Sequence, residues 1–121
     1  MRKIERQMIQ AIVDDKPHWS KDNTRVVLWD GNTDTTHPDH GRKTYRVYLH
    51  GHWIAEYTPS TMSLMINNCG YDTNTTKSRL NALINWVADP TKNGIFQKNW
   101  NWYLVKNGET FDFLHNQWIA V

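Results

Sequence analysis

Thr73-Asn74-Thr75-Thr76-Lys77-Ser78-Arg79-Leu80-Asn81-Ala82-Leu83-Ile84 is the stretch on which the fold turns. Leu80, Leu83, Ile84 and Val87 recur at i, i+3, i+4 and i+7, the spacing of one buried helical stripe. Thr73, Asn74 or Thr75 suits the cap position, where a side-chain oxygen accepts a bond from a free backbone N–H. Lys77 and Arg79 add positive charge near a helix start that already carries about half an elementary unit of it. Free N–H groups, the hydroxyls of Thr75, Thr76 and Ser78, and the cations Lys77 and Arg79 together suit a phosphate or carboxylate. A well-capped surface helix with solvated cations accounts for the same residues.

Outward from this helix the period changes to that of strands. Upstream, residues 44–57 predict a hairpin turning at His50-Gly51. That two-residue loop sets Val47 opposite Ile54 and Tyr48 opposite Trp53. Val47, Leu49 and Ile54 then share a core face, while Arg46, Tyr48 and Trp53 share an aromatic-basic face. Residues 62–67 predict a further strand. Downstream, Asn107-Gly108 is a preferred type I′ turn. Counting outward from it, Lys106 opposes Glu109, Leu104 opposes Phe111, and Trp102 opposes Phe113.

Further towards the N-terminus, residues 24–29 read as a strand and residues 30–43 as a polar loop without an apolar anchor. Residues 2–15 predict a first helix, with Ile4, Met8, Ala11 and Ile12 on one face and Pro17 beyond its end. The sum is an α+β fold: two helices packed on an antiparallel sheet of about six or seven strands built from hairpins. An internal echo crosses this pattern. Leu49-His50-Gly51-His52-Trp53-Ile54-Ala55 recurs as Leu114-His115-Asn116-Gln117-Trp118-Ile119-Ala120. Similar demands at similar turns explain so short a match better than duplication does.

The 121 residues suffice for one domain with a modest core. A formal charge of +2 neither demands nor excludes nucleic acid. Cys69 is the only cysteine, which rules out an intrachain disulfide and a thiolate zinc cluster. No apolar run approaches the roughly 20 residues that cross a bilayer, and the charged start Met1-Arg2-Lys3-Ile4-Glu5-Arg6 is unlike a signal peptide. The expectation is a soluble cytosolic protein. Seven tryptophans are more than one small core absorbs, so some should stand at a partner surface or a base-stacking platform.

Tyr45-Arg46-Val47-Tyr48-Leu49-His50-Gly51, Ile54-Ala55, Gly70-Tyr71 and the run Thr73 with Thr75-Thr76-Lys77-Ser78-Arg79-Leu80-Asn81-Ala82-Leu83 together resemble a family of small uncharacterised bacteriophage proteins. The opening Met1-Arg2-Lys3-Ile4-Glu5 belongs to the same likeness, which extends to about Trp86. It implies a phage accessory protein in the host bacterial cytoplasm and supplies no catalytic residues. Small phage proteins of this kind often bind nucleic acid or block host defences such as restriction and CRISPR systems, an analogy of class only.

Catalytic chemistry is not legible. His37, His40, His50 and His52 lack a recognised zinc spacing, and solvated loop histidines explain them. Cys69 beside Gly70 has no nucleophile signature, no serine sits in an elbow, and the carboxylates are scattered over loops and helix ends. We therefore expect no enzyme activity, no cofactor and no metal. The leading expectation is a protein that binds nucleic acid or a nucleoprotein and modulates host machinery. Thr75, Thr76, Lys77, Ser78 and Arg79 would hold phosphates, and Arg46, Tyr48 and Trp53 would supply stacking or a partner surface. The alternatives are an inhibitor of a host protein acting through exposed tryptophans and a binder of a phosphorylated metabolite, and the chain could also form a homodimer.

Overall fold

The computed structural model describes residues 1–29 and 42–121. In chain order these form α1 (Lys3–Val13), β1 (His18–Lys21), β2 (Thr24–Trp29), β3 (Thr44–Leu49), β4 (His52–Thr58), β5 (Ser63–Ile66), α2 (Asn74–Val87), β6 (Gly94–Lys98), β7 (Asn101–Lys106), β8 (Glu109–Asp112) and β9 (Ile119–Ala120). The fold is α+β with two helices, as the periodicity predicts. The strands divide into two antiparallel sheets, though, where one was expected. Six run in the order β1-β2-β3-β4-β5-β9, and three in the order β6-β7-β8.

The core lies between the helices and one face of the larger sheet. Met8, Ala11 and Ile12 of α1 and Leu80, Leu83 and Ile84 of α2 are buried with Val26, Val47, Leu49, Ile54, Tyr57, Leu64 and Ile66 from the sheet. The cluster continues into the smaller sheet through Ile95, Trp102, Leu104 and Phe113. Thr73 is the cap of α2, its hydroxyl accepting from the Thr76 N–H at 3.1 Å.

Both predicted two-residue turns form. His50 and Gly51 have φ of 50° and 80°, and Asn107 and Gly108 have 52° and 83°. These are left-handed pairs, which a type I′ turn needs and which glycine adopts without strain at the second position. The C-terminal register follows the sequence count, with Lys106 opposite Glu109 and Leu104 opposite Phe111. The Phe113 N–H continues it by donating to the Trp102 carbonyl at 3.1 Å.

The first hairpin departs from expectation at one point. Tyr48 faces Trp53, but Val47 faces Ala55, leaving Ile54 as the extra residue of a bulge. The cause is burial: Ile54 and Ala55 are adjacent and both inaccessible, which strict alternation forbids. Three strands, β1, β6 and β9, were not read from the sequence. Residues 30–41 of the predicted polar loop lie outside the described residues.

Candidate functional site

Arg79 does not stand beside Lys77 at the surface. It projects from the buried stripe of α2, 3 % exposed, and its Nη1 lies 2.7 Å from Glu5 Oε2 on α1. Its Nε donates to Thr24 Oγ1 at 3.0 Å, and Nη2 reaches Asn23 Oδ1 at 3.4 Å. Ser78 Oγ donates to the same Glu5 oxygen at 2.6 Å, and the Arg2 N–H supplies Glu5 Oε1 at 3.1 Å. Burial alone would raise the Glu5 carboxyl; the bonds from Ser78, Arg2 and Arg79 outweigh it and hold the group below its ordinary range. Glu5 is the anion that the Arg79 charge meets.

The rest of the expected phosphate cluster is dispersed. The buried Thr76 hydroxyl pairs with Thr73 Oγ1 at 2.9 Å. Lys77 Nζ turns outward to Gln97 Oε1 on β6 at 3.3 Å. Thr75 lines a hollow of about 240 Å³ with His50, His52, Tyr71 and Thr73. Of the expected cations, Lys77 alone faces solvent here.

The second expected group is assembled. Arg46, Tyr48 and Trp53 project from the face of the larger sheet opposite the helices, because their neighbours Tyr45, Val47 and Leu49 are buried in the core. The Arg46 guanidinium lies 4.7 Å from the Trp29 ring centre and 4.4 Å from that of Trp53. Its Nε is 3.8 Å from Glu56 Oε1, in the pair set by the β3–β4 register. Arg25 lies over Tyr48 at 4.6 Å. Trp53 meets Trp118 edge-on at 4.7 Å, and its indole N–H donates to the Ala55 carbonyl at 3.0 Å. Among the described residues no helix covers this face. The helix start and the aromatic-basic face thus lie on opposite sides of the larger sheet.

Sequence reading missed Arg25, Trp29 and Glu56 as members of this face. The alternation of Arg25, Val27 and Trp29 carried the signal on β2, and the register of β2 with β3 completes it. The two echoed segments flank β5: Ile66 pairs with Ala55 on one side and Ile119 on the other, which brings Trp53 and Trp118 together.

Elsewhere the polar groups serve the fold. Buried Asn68 donates to Asp72 Oδ1 and contacts His115 Nδ1, both at 2.9 Å, while its own oxygen accepts from the Gly70 and Asn116 N–H groups. Cys69 Sγ donates to the Trp53 carbonyl at 3.2 Å, and burial pushes its thiol pKa up. The His52 ring lies tilted against that of Tyr71, their centres 4.4 Å apart. No group of three or more metal-ligating side chains occurs among the described residues, and His37 and His40 lie outside them. A hollow of about 710 Å³ is lined by Ile12, Lys43, Tyr45, Tyr57 and Trp86, with the Tyr45 hydroxyl bonded to Asp15.

Residues 1–120 match the family described as Kyanoviridae Gp96 protein. The chain belongs to this family. It is therefore a phage protein, as its resemblance implied. No curated protein and no solved structure matches it. No helix among the described residues of this Gp96 family member is long and apolar enough to cross a membrane.

Proposed function

We propose that this member of the Gp96 family is a non-enzymatic phage accessory protein that binds a host protein or nucleoprotein and so modulates host machinery. The observation that carries the reading is the rigid row Trp29–Arg46–Trp53–Trp118 across the helix-free face of the larger sheet. Trp, Tyr and Arg are the residues that dominate binding energy at protein interfaces. Trp29, Arg46 and Trp53 sit on strands, Trp118 borders one, and each packs against the next, so they lose little freedom on association. Such a surface would work in the host cytoplasm, where a phage accessory protein meets its target.

A second reading, binding of single-stranded nucleic acid, draws on Arg25 over Tyr48, an exposed cation beside an aromatic. Two details favour a protein partner over it. The Arg46 guanidinium already lies over Trp53, and Glu56 offsets the Arg46 charge.

The test compares wild type with an Arg25→Glu/Trp118→Ala variant, both sites being exposed. Affinity capture from host lysate runs beside fluorescence polarisation with labelled DNA and RNA at low and physiological salt. A host protein held by wild type and released by the variant supports the first reading. Salt-sensitive nucleic-acid binding lost in the variant transfers the face to the second, since counterion release imposes that salt dependence. Equal behaviour of the two proteins in both assays removes the face from consideration.

A further inference from the structure

The smaller sheet has two edges, and they are treated differently. The edge of β6 is closed by Asn81 of α2, whose amide oxygen accepts from the Ile95 N–H at 2.7 Å and whose NH₂ donates to the Ile95 carbonyl at 2.9 Å. One side chain thus imitates a neighbouring strand. The edge of β8 has no such cover among the described residues, and all of Glu109, Thr110, Phe111 and Asp112 are exposed.

The hairpin turn determines which groups that edge presents. With a two-residue loop, Lys106–Glu109 is a hydrogen-bonded pair, and Leu104–Phe111 is the next one. The backbone groups of Glu109 and Phe111 therefore point at β7. Those of Thr110 and Asp112 point away, leaving two N–H donors and two carbonyl acceptors along the open edge.

The side chains give that edge a preference. Phe111 faces the same side as its partner Leu104, yet Leu104 is 5 % exposed and Phe111 48 %. The difference arises because the core-facing layer stops at β8. Beyond it lies a groove of about 430 Å³ lined by Leu104, Phe111, Leu114 and Ile119. Lys106 closes one end by donating to the Ala120 carbonyl at 3.3 Å. Glu109 and Asp112 put negative charge at the two ends of the strand.

We propose that the β8 edge takes up an extended segment of a partner protein, adding a fourth strand to the smaller sheet. Read antiparallel to β8, the segment carries a basic residue opposite Asp112, an apolar residue opposite Phe111, an unrestricted residue opposite Thr110 and a basic residue opposite Glu109. The apolar side chain fills the groove beside Phe111, and the basic ones meet the two carboxylates. A second copy of the chain is the wrong occupant. In the self-pairing that the outward groups allow about Phe111, Phe111 faces its own copy and Thr110 faces Asp112, so neither carboxylate of the edge meets a cation. This edge belongs to the smaller sheet, so its test is independent of the aromatic-basic face.

The experiment uses a short synthetic peptide with the repeating order lysine–valine–threonine–lysine, added to the full chain. Amide hydrogen exchange is followed residue by residue. The Thr110 and Asp112 amides should gain about tenfold or more in protection, while Glu109 and Phe111, already bonded to β7, should change little. A peptide with glutamate for lysine, and one with proline where its N–H would meet β8, should give no protection. The E109K/D112K variant should exchange its preference for the acidic peptide. Equal protection by the basic and acidic peptides, or none by either, overturns the proposal. So does protection of the same amides that rises with protein concentration alone, which would make the occupant a second copy.

Discussion

Glu5 Oε2 and Arg79 Nη1 meet at 2.7 Å between the two helices, with 2 % and 4 % of their side chains exposed. The pair closes the corner where α1, α2 and the β1–β2 turn converge. Removing one partner leaves a buried charge without its counterion. Arg79→Met should therefore cost about 3–5 kcal/mol in urea unfolding, whereas Glu5→Leu/Arg79→Met should recover much of that loss. A double variant no more stable than the single one would show that the pair acts through more than charge neutralisation.

Acid should weaken this corner. The folded Glu5 carboxyl is depressed below its unfolded value of about 4.3. Its contribution to stability is thus complete above that unfolded value and is lost as pH falls through the lower folded one. Melting temperature measured from neutral pH downward should drop more steeply in wild type than in Glu5→Gln. Parallel acid limbs would move the cause elsewhere.

The Arg46 sandwich depends on a flat cation. Arg46→Lys keeps the charge and loses the planar stacking between Trp29 and Trp53. We expect both Arg46→Lys and Arg46→Ala to lose about 1–2 kcal/mol. A double-mutant cycle of Arg46→Ala with Trp53→Ala reads the coupling directly. Lysine as stable as arginine would mean that charge alone holds the site.

Cys69 should be a poor nucleophile in the folded protein. Its thiol is bonded to the Trp53 carbonyl and its pKa is raised by burial, so little thiolate is present near neutral pH. Colorimetric thiol titration should be slow in buffer and fast in denaturant. A rapid native reaction would reopen a chemical role for this residue.

Asn81→Leu should destabilise the protein by about 1–3 kcal/mol, because the Ile95 N–H and carbonyl lose the amide that serves both. Chemical denaturation gives the number. A neutral result would mean that water takes over the edge of β6.

What the sequence made legible was local. The i, i+3, i+4 and i+7 stripe found α2, and Asn107-Gly108 found the register of β7 with β8, since each depends on neighbours in the chain. Arg79 was assigned to a surface although it sits four residues before Leu83 and three after Thr76, within the buried stripe. Glu5 likewise precedes Met8 by three and Ile12 by seven on the buried face of α1. Two opposite charges on two buried faces were a readable signal of an ion pair. β1 was missed because Trp19 is its one large apolar residue, although Asp22-Asn23 supplied a two-residue turn. The partnership of Trp29 with Arg46 needed the β2–β3 register, and a long connection carries no register information. The division into two sheets depends on which strand edges pair, which no periodicity encodes.

The Glu5–Arg79 contact joins positions 74 residues apart, while the hairpins of this chain close over a few residues each. Distant partners meet only after loop-closure entropy has been overcome, so the hairpins should form early and this corner late. An interaction absent from the transition state governs escape from the native state and not arrival at it. Removing the ion pair should then steepen the rate of unfolding and leave the rate of folding nearly as it was. The corner between the helices is, in kinetic terms, the latch on an assembled molecule.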